Sequence, residues 1–126
     1  MLILNSYLCE YATRGEGKAT LFNIFEDINV SQVPAVVPLF YVVFFIQVEP
    51  REIASIGINI IAPNGETIAS IPAKETVVPD GDSPFRSWAQ FSFIQTEFKQ
   101  YGEHAVQVIL YGEHIQTIPL LVKELK

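Results

Sequence analysis

The sequence predicts an all-β fold: an antiparallel β-sandwich of about eight strands. Apolar residues alternate with polar ones or form short unbroken runs, and glycine, proline or asparagine separates these segments about every 8–12 residues. No segment keeps the period of about 3.6 residues that an amphipathic helix requires. With 126 residues the chain is long enough to fold as a single domain, residues 1–126, without disulfide bonds.

Residues 38–49 form the least interrupted apolar run of the chain. The run is too short to span a bilayer, which takes about 20 apolar residues. Its β-branched and aromatic residues favour a strand over a helix. We therefore predict a central strand over 39–48 with one face in the core and the other covered for most of its length; the core face carries Phe40, Val42, Phe44, Ile46 and Val48.

The segments before this run predict a hairpin followed by a connection. Residues 2–13 alternate loosely and form the first strand, and residues 14–18 contain two glycines and form the loop. Residues 19–28 form the return strand. Residues 29–37 are expected to be a connection, because prolines flank its end and proline lacks the N–H donor that a central ladder needs.

The segments after the central run predict a second hairpin. Residues 55–62 and 66–72 pair around a Pro-Asn-Gly turn, since Asn-Gly is a strong hairpin signal. Two registers remain open: a two-residue turn that pairs Ile58 with Ile71, or a three-residue turn with a glycine bulge that pairs Ile60 with Ile68.

The C-terminal half predicts a long loop and three more strands. Residues 74–84 contain two prolines and a glycine and form the longest exposed loop. Residues 86–95 form a strand that turns alanine and phenylalanine side chains inward. Residues 104–111 and 114–122 form the last hairpin, with a type II′ turn at Gly112-Glu113.

Charge and composition restrict the partners. The net charge is −6 with only 8 basic residues, none of them adjacent to another, which argues against nucleic acid and against an anionic membrane surface as partners. The N-terminal segment is a poor signal peptide, so a cytoplasmic location is expected. Charged residues make up 17% of the chain and hydrophobic ones 49%, which favours contact with another protein or with a second copy.

Some apolar side chains fall on the strand face predicted to point outward. We expect them to form a self-association surface, most simply in a homodimer, and they are Leu21, Phe25, Ile109 and Tyr111.

The outward row of the 86–95 strand is the best candidate for a binding face. The row consists of Arg86, Trp88, Gln90 and Ser92. An exposed tryptophan beside a guanidinium and an amide is typical of sandwiches that bind glycans or peptides. In the alternative interpretation, Trp88 is capped by Arg86 or packed beneath the 74–84 loop.

Asp80 and Asp82 flank a glycine at the tip of the 74–84 loop, as carboxylates do in some calcium sites. Only one further aspartate exists, so a solvated turn is the simpler interpretation and no metal site is predicted. His104 and His114 are placed at opposite ends of one strand, roughly 30 Å apart at about 3.3 Å per residue, and cannot share a metal.

No residue pattern predicts catalysis or a cofactor. Cys9 lies mid-strand among tyrosines and is expected to be a buried, inert thiol. Glu103 and Glu113 repeat a Gly-Glu-His triplet but are more simply polar residues of turns. The expected function is a non-catalytic module for protein interaction or self-association; the alternative is a ligand-binding domain that uses the Trp88 face or the aspartate loop.

Several stretches resemble a family of small bacterial β-domains of unknown function. They are the opening Tyr7-Leu-Cys-Glu-Tyr-Ala12, Gly17-Lys18 leading into Leu-Phe-Asn-Ile-Phe25, the prolines at 34 and 38, the Pro-Asn-Gly-Glu turn at 63–66, and the closing Tyr-Gly-Glu-His-Ala at 101–105, Tyr-Gly-Glu at 111–113 and Ile-Pro-Leu at 118–120. The resemblance implies an immunoglobulin-like sandwich and supplies no catalytic residues.

Overall fold

The computed structural model describes residues 1–77 and 85–125, and this part of the chain forms nine strands in two sheets. The strands are β1 (Leu2–Gly15), β2 (Lys18–Ile24), β3 (Asp27–Val30), β4 (Ala35–Val48), β5 (Ile53–Ile61), β6 (Thr67–Val77), β7 (Phe85–Phe98), β8 (Gly102–Leu110) and β9 (Glu113–Glu124). The predicted all-β sandwich is confirmed. In the described ranges no helix has the length and apolar character needed to cross a membrane.

The first sheet has the strand order β2-β1-β4-β7 and the second the order β3-β9-β8-β5-β6. Among the described strands, β3 and β9 pair in parallel and the other neighbours pair antiparallel. The chain changes sheet between β2 and β3, β3 and β4, β4 and β5, β6 and β7, and β7 and β8. These five crossings join the two sheets into a single packing unit.

The central strand is β4, as predicted. It pairs with β1 on one side and with β7 on the other. The Phe40 ring is 1% exposed and stacks on Phe93, with 5.1 Å between the ring centroids. Phe44 is fully buried and meets the edge of Phe91. The apolar side chains of β5, β8 and β9 cover these rings from the opposite sheet.

The predicted return strand over 19–28 is in fact two strands on different sheets. The Phe25 N–H still donates to the Leu8 carbonyl in the first sheet, at 2.9 Å. From Asp27 the chain instead runs parallel to β9 in the second sheet. Phe25 fills the crossing point by packing against Phe40, with 6.2 Å between the ring centroids. The ring is partly buried, and the change of sheet follows Asn23, whose φ of +53° is a left-handed conformation that asparagine adopts more readily than most residues.

The predicted connection over 29–37 is shorter than expected, because β4 already begins at Ala35. Pro38 lies inside the strand. The pairing of β4 with β1 runs from Tyr41 to Gln47, so β1 does not reach Pro38. The missing N–H of the proline therefore leaves no vacancy in a ladder on that side.

The hairpin around residues 63–65 combines features of both predicted registers. The turn has three residues and ends at Gly65, whose φ of +89° is the left-handed conformation of a glycine bulge. Even so, Ile58 pairs with Ile71, because a second irregularity between Ile60 and Ile61 shifts the register.

The last turn is one residue earlier than predicted. Leu110 pairs with Glu113, and the two central residues are Tyr111 and Gly112. Both have positive φ, +51° and +81°, which defines a type I′ turn instead of the predicted type II′ turn. Of the predicted 74–84 loop, residues 74–77 belong to β6 and residues 78–84 lie outside the described part of the chain.

The β1–β2 hairpin does not stay in the plane of the first sheet. β1 leaves β4 after Cys9, and the remainder of β1 pairs only with β2. We call residues 10–24 the hairpin arm. Ala12 and Leu21 of the arm pack with Cys9 and Val43, which places the arm over the outer face of the sheet. The tip of the arm lies beside the beginning of β7.

Candidate functional site

The predicted binding row lies on the outer face of the first sheet. Strand β7 pairs with β4 so that Arg86 lies opposite Gln47, Trp88 opposite Phe45 and Gln90 opposite Val43. Trp88 is half-buried and packs on Phe45, with 4.8 Å between the ring centroids. The alternation of β7 thus places Arg86, Trp88 and Gln90 on one surface, as the sequence predicted.

A groove of about 520 Å³ separates these residues from the tip of the hairpin arm. One wall consists of residues 14–18 and the other of residues 85–88 with Gln90. The Arg14 side chain crosses between the walls, where its Nη1 donates to the Trp88 carbonyl at 2.9 Å. Ser92 is exposed and does not line the groove. Three of the four predicted residues therefore line the groove, and residues 14–18 of the arm form its other wall.

The described lining of the groove carries a net positive charge. Among these residues, Arg14, Lys18 and Arg86 are cationic and Glu16 is the one carboxylate. Three ion pairs occur in the described part of the chain, and none of them involves these cations. Arg86 donates from Nε to the Gln47 amide oxygen at 3.1 Å. A guanidinium held in this way still has N–H groups for a second acceptor.

Sequence reasoning missed the contribution of the arm. Arg14 and Lys18 were expected only as part of a loop, and 74 residues separate Arg14 from Trp88. The signal that could have found them is the short Gly-Glu-Gly tip, where Glu16 and Gly17 both have positive φ, as in a type I′ turn. Such a tight turn projects the two flanking cations from the same end of the arm.

The predicted self-association residues do not form one surface. Leu21 is half-buried between the arm and the sheet, and Phe25 packs against the main core. Ile109 and Tyr111 are on the other sheet, at the end of β8. The Tyr111 hydroxyl donates to Glu52, and burial together with this bond raises the pKa of Tyr111 to about 12. Leu21 and Phe25 thus serve the fold of the chain itself, whereas Tyr111 is 49% exposed.

An exposed apolar surface does exist on the arm, with the opposite parity to the one predicted. Tyr11 and Phe22 lie opposite one another, with 5.9 Å between the ring centroids, and Ile24 follows on the same strand. They are 46%, 49% and 57% exposed. The parity was assigned wrongly because the arm lies over the sheet, so that the face carrying Leu21 is the covered one.

The two histidines lie on neighbouring strands, not on one strand as predicted. His104 is in β8, and His114 pairs with Ile109 five positions further along the hairpin. His114 is exposed and its Nε2 lies 2.8 Å from the Thr117 hydroxyl. His104 is 1% exposed, and burial lowers its pKa. Within the described ranges, no group of three or more His, Cys, Asp or Glu side chains could hold a metal. Asp80 and Asp82 lie outside these ranges.

Cys9 is fully buried beneath the arm. Burial raises the pKa of its thiol, and a backbone hydrogen bond involving Tyr11 opposes this effect without cancelling it. We therefore expect folded protein to react slowly with Ellman's reagent at neutral pH and denatured protein to react at once. Stoichiometric labelling of native protein within seconds would contradict the burial.

The sequence profile of a family of unknown function, DUF6941, matches residues 4–123. The chain belongs to this family. The resemblance to a family of small β-domains of unknown function is thereby confirmed, and DUF6941 carries no described activity to transfer. No curated protein matches the chain.

One similar solved structure is the Pseudomonas fluorescens alkylpurine DNA glycosylase AlkC bound to DNA containing an abasic site analog. The identity is 15%, the TM-score is 0.48, and the match covers 78% of this DUF6941 chain and 28% of the glycosylase. The prediction that excluded nucleic acid as a partner is corrected by this finding, because a DNA-bound protein is among the similar structures. Net charge alone does not support the exclusion, and likeness at this level gives no argument for DNA binding either.

Proposed function

We propose that this DUF6941 domain is a non-catalytic interaction module that self-associates through the β2 edge of its hairpin arm. The observation that carries the proposal is a strand edge that pairs with no second strand in the described part of the chain and lies beside an exposed apolar face. β2 pairs with β1 on one side and is the outermost strand of its sheet on the other. Tyr11, Phe22 and Ile24 present apolar surface along the same strand pair.

The other three edge strands carry features that discourage pairing. β3 has only 4 residues. β6 contains Pro72 and Lys74, and in β7 the Trp88 carbonyl already accepts a bond from Arg14. Short edges, prolines and charges are the usual means by which proteins prevent edge-to-edge pairing. Residues 19–24 of β2 carry neither a charge nor a proline.

A second copy of the chain is the partner that fits this edge best. In an antiparallel pair of β2 strands related by a two-fold axis, the beginnings of the two strands lie at opposite ends. Lys18, the one charged residue of β2, stands at the beginning of the strand and so does not meet its own copy. The two Phe22 rings come onto the same face of the joined sheet, where they pack against each other.

Light scattering tests the proposal with a matched pair of variants. We expect the native chain to have twice the 14.1 kDa mass of a monomer at micromolar concentration and Phe22→Lys to have the monomer mass. Ile94→Lys adds the same charge at an apolar position of β7 that is 69% exposed, and should remain a dimer. A native monomer at every concentration, or dissociation caused only by Ile94→Lys, would refute the proposal. A heterologous partner at β2 would then be the remaining interaction function.

We also infer that the sandwich is immunoglobulin-like, which the strand order supports. β1, β4 and β7 are neighbours in one sheet, as strands A, B and E are in an immunoglobulin constant domain. β5, β8 and β9 are neighbours in the other, as strands C, F and G are. The cytoplasmic location inferred from the sequence stays a prediction.

A further inference from the structure

We propose that the groove between the arm tip and β7 binds a small molecule that carries a carboxylate or phosphate oxyanion next to a flat apolar group. This site shares Lys18 with the beginning of β2 but does not depend on self-association. Its first support is charge. Of the 8 basic residues in a chain with net charge −6, Arg14, Lys18 and Arg86 line this one groove.

The two guanidinium groups are held in place by the fold. Arg14 is tied to the Trp88 carbonyl and Arg86 to the Gln47 amide, each through one nitrogen. Both bonds end on neutral acceptors, so neither cation is neutralised by them. A planar guanidinium whose other N–H groups bond to no described residue matches the two oxygens of a carboxylate or phosphate. Each bond restricts its side chain, so binding loses less side-chain entropy than it would with two unbonded arginines.

The second support is the chemistry of the wall beneath the cations. Trp88 is half-buried on Phe45 and supplies a rigid aromatic surface at the groove. Gln90 lies beside Trp88 in this wall and adds a polar side chain to the lining.

The volume of the groove limits the size of the ligand. About 520 Å³ falls in the range of small-molecule sites, roughly 300–1,000 Å³. Glu16 at the arm tip is negatively charged and would repel a polyanion that extends along the tip. The arrangement therefore fits one oxyanion and one ring.

Trp88 is the only tryptophan of the chain, so its fluorescence reports on the groove directly. The probes are benzoate, phenyl phosphate and benzyl alcohol, which share a ring and differ in charge. We expect benzoate, phenyl phosphate or both to change Trp88 fluorescence saturably in the millimolar range, as is usual for ligands of this size, and benzyl alcohol to have no comparable effect. The charged probe that binds more tightly identifies the oxyanion.

Charge-removing variants show whether the binding is specific to the groove. Arg86 and Lys18 are exposed, so neither substitution should disturb the fold. Each of Arg86→Gln and Lys18→Gln should weaken binding about tenfold. Lys99→Gln removes the same charge at the far end of β7 and should leave affinity unchanged. The proposal would be overturned if Arg86→Gln and Lys99→Gln bound the charged probes with equal affinity. It would also be overturned if benzyl alcohol bound as tightly as the charged probes, or if no probe gave a saturable signal. The monomeric Phe22→Lys variant should still bind, which separates this result from the test of self-association.

Discussion

Replacing Phe44 by alanine should lower the free energy of unfolding by about 3–5 kcal/mol, the usual cost of removing a buried phenylalanine side chain from a core. Phe44 lies in the middle of β4 with no exposed surface. Its ring meets the Phe91 ring at 5.9 Å between centroids, and Ser6 and Ala89 lie opposite it on the two neighbouring strands. With a paired strand on each side of β4, the backbone cannot collapse far into the cavity, so most of the cavity cost remains.

Urea unfolding followed by circular dichroism measures this loss. The control is Ile94→Ala, which removes an apolar side chain that is 69% exposed and should cost well under about 1 kcal/mol. A loss below about 1 kcal/mol for Phe44→Ala would show that the ring is not in the core.

The central part of the fold could be predicted because its signals are local. Residues 39–48 are apolar on both faces, which identifies a strand covered on both sides, and the alternation within β7 places Phe91 and Phe93 inward. Glycines and asparagines also identified the hairpins. The precise turns were less predictable, because Tyr111 adopts a left-handed conformation that a bulky residue seldom adopts.

The elements that were not predicted depend on contacts between distant residues. The change of sheet after β2 is stabilised by the packing of Phe25 on Phe40. No glycine or proline between residues 19 and 28 signals it, and the local feature there is Asn23 with its positive φ. Leu21 was interpreted as surface for a second copy, whereas it is covered by the chain's own sheet. Apolar residues on both faces of a strand indicate only that a second surface covers it, and the sequence does not say whether that surface is in the same chain.

Only one of the two walls of the candidate groove could be predicted from the sequence. Arg86, Trp88 and Gln90 follow from the period of two within one strand, and the structure keeps them on one face. Arg14 and Lys18 join them only because the arm lies over the sheet. A pattern that operates over a few residues can thus predict one wall of a site and miss the other.

Lowering the pH from 7 to 5 should destabilise the protein through His104, and His104→Leu should remove that part of the pH dependence. The His104 ring is 1% exposed and packs edge-on against Phe98, with 5.3 Å between the ring centroids. Nδ1 lies 3.0 Å from the Gly102 carbonyl, so the neutral ring carries its proton there and donates it. Nε2 is buried without a partner in the described residues, and a proton added to it would meet no acceptor.

Burial lowers the pKa of His104 below its ordinary value, and the bond to Gly102 opposes this only in part. The unfolded chain, with a histidine pKa of about 6.5, therefore binds a proton at a pH where the folded chain does not. The stabilising contribution is complete above about pH 6.5 and decreases as the pH falls towards the folded pKa, by at most about 1.4 kcal/mol per pH unit. Urea unfolding of native protein and His104→Leu at pH 7, 6 and 5 measures the difference.

His114→Gln is the matched control, because His114 is exposed and bonds only to its own strand. Its pH dependence should follow that of the native chain. Carboxylates common to all three proteins contribute equally to each curve and cancel in the comparison. His104→Leu could also lose as much stability on acidification as the native protein does. That result would mean that the folded protein protonates the His104 ring, and it would contradict the burial of Nε2 without an acceptor.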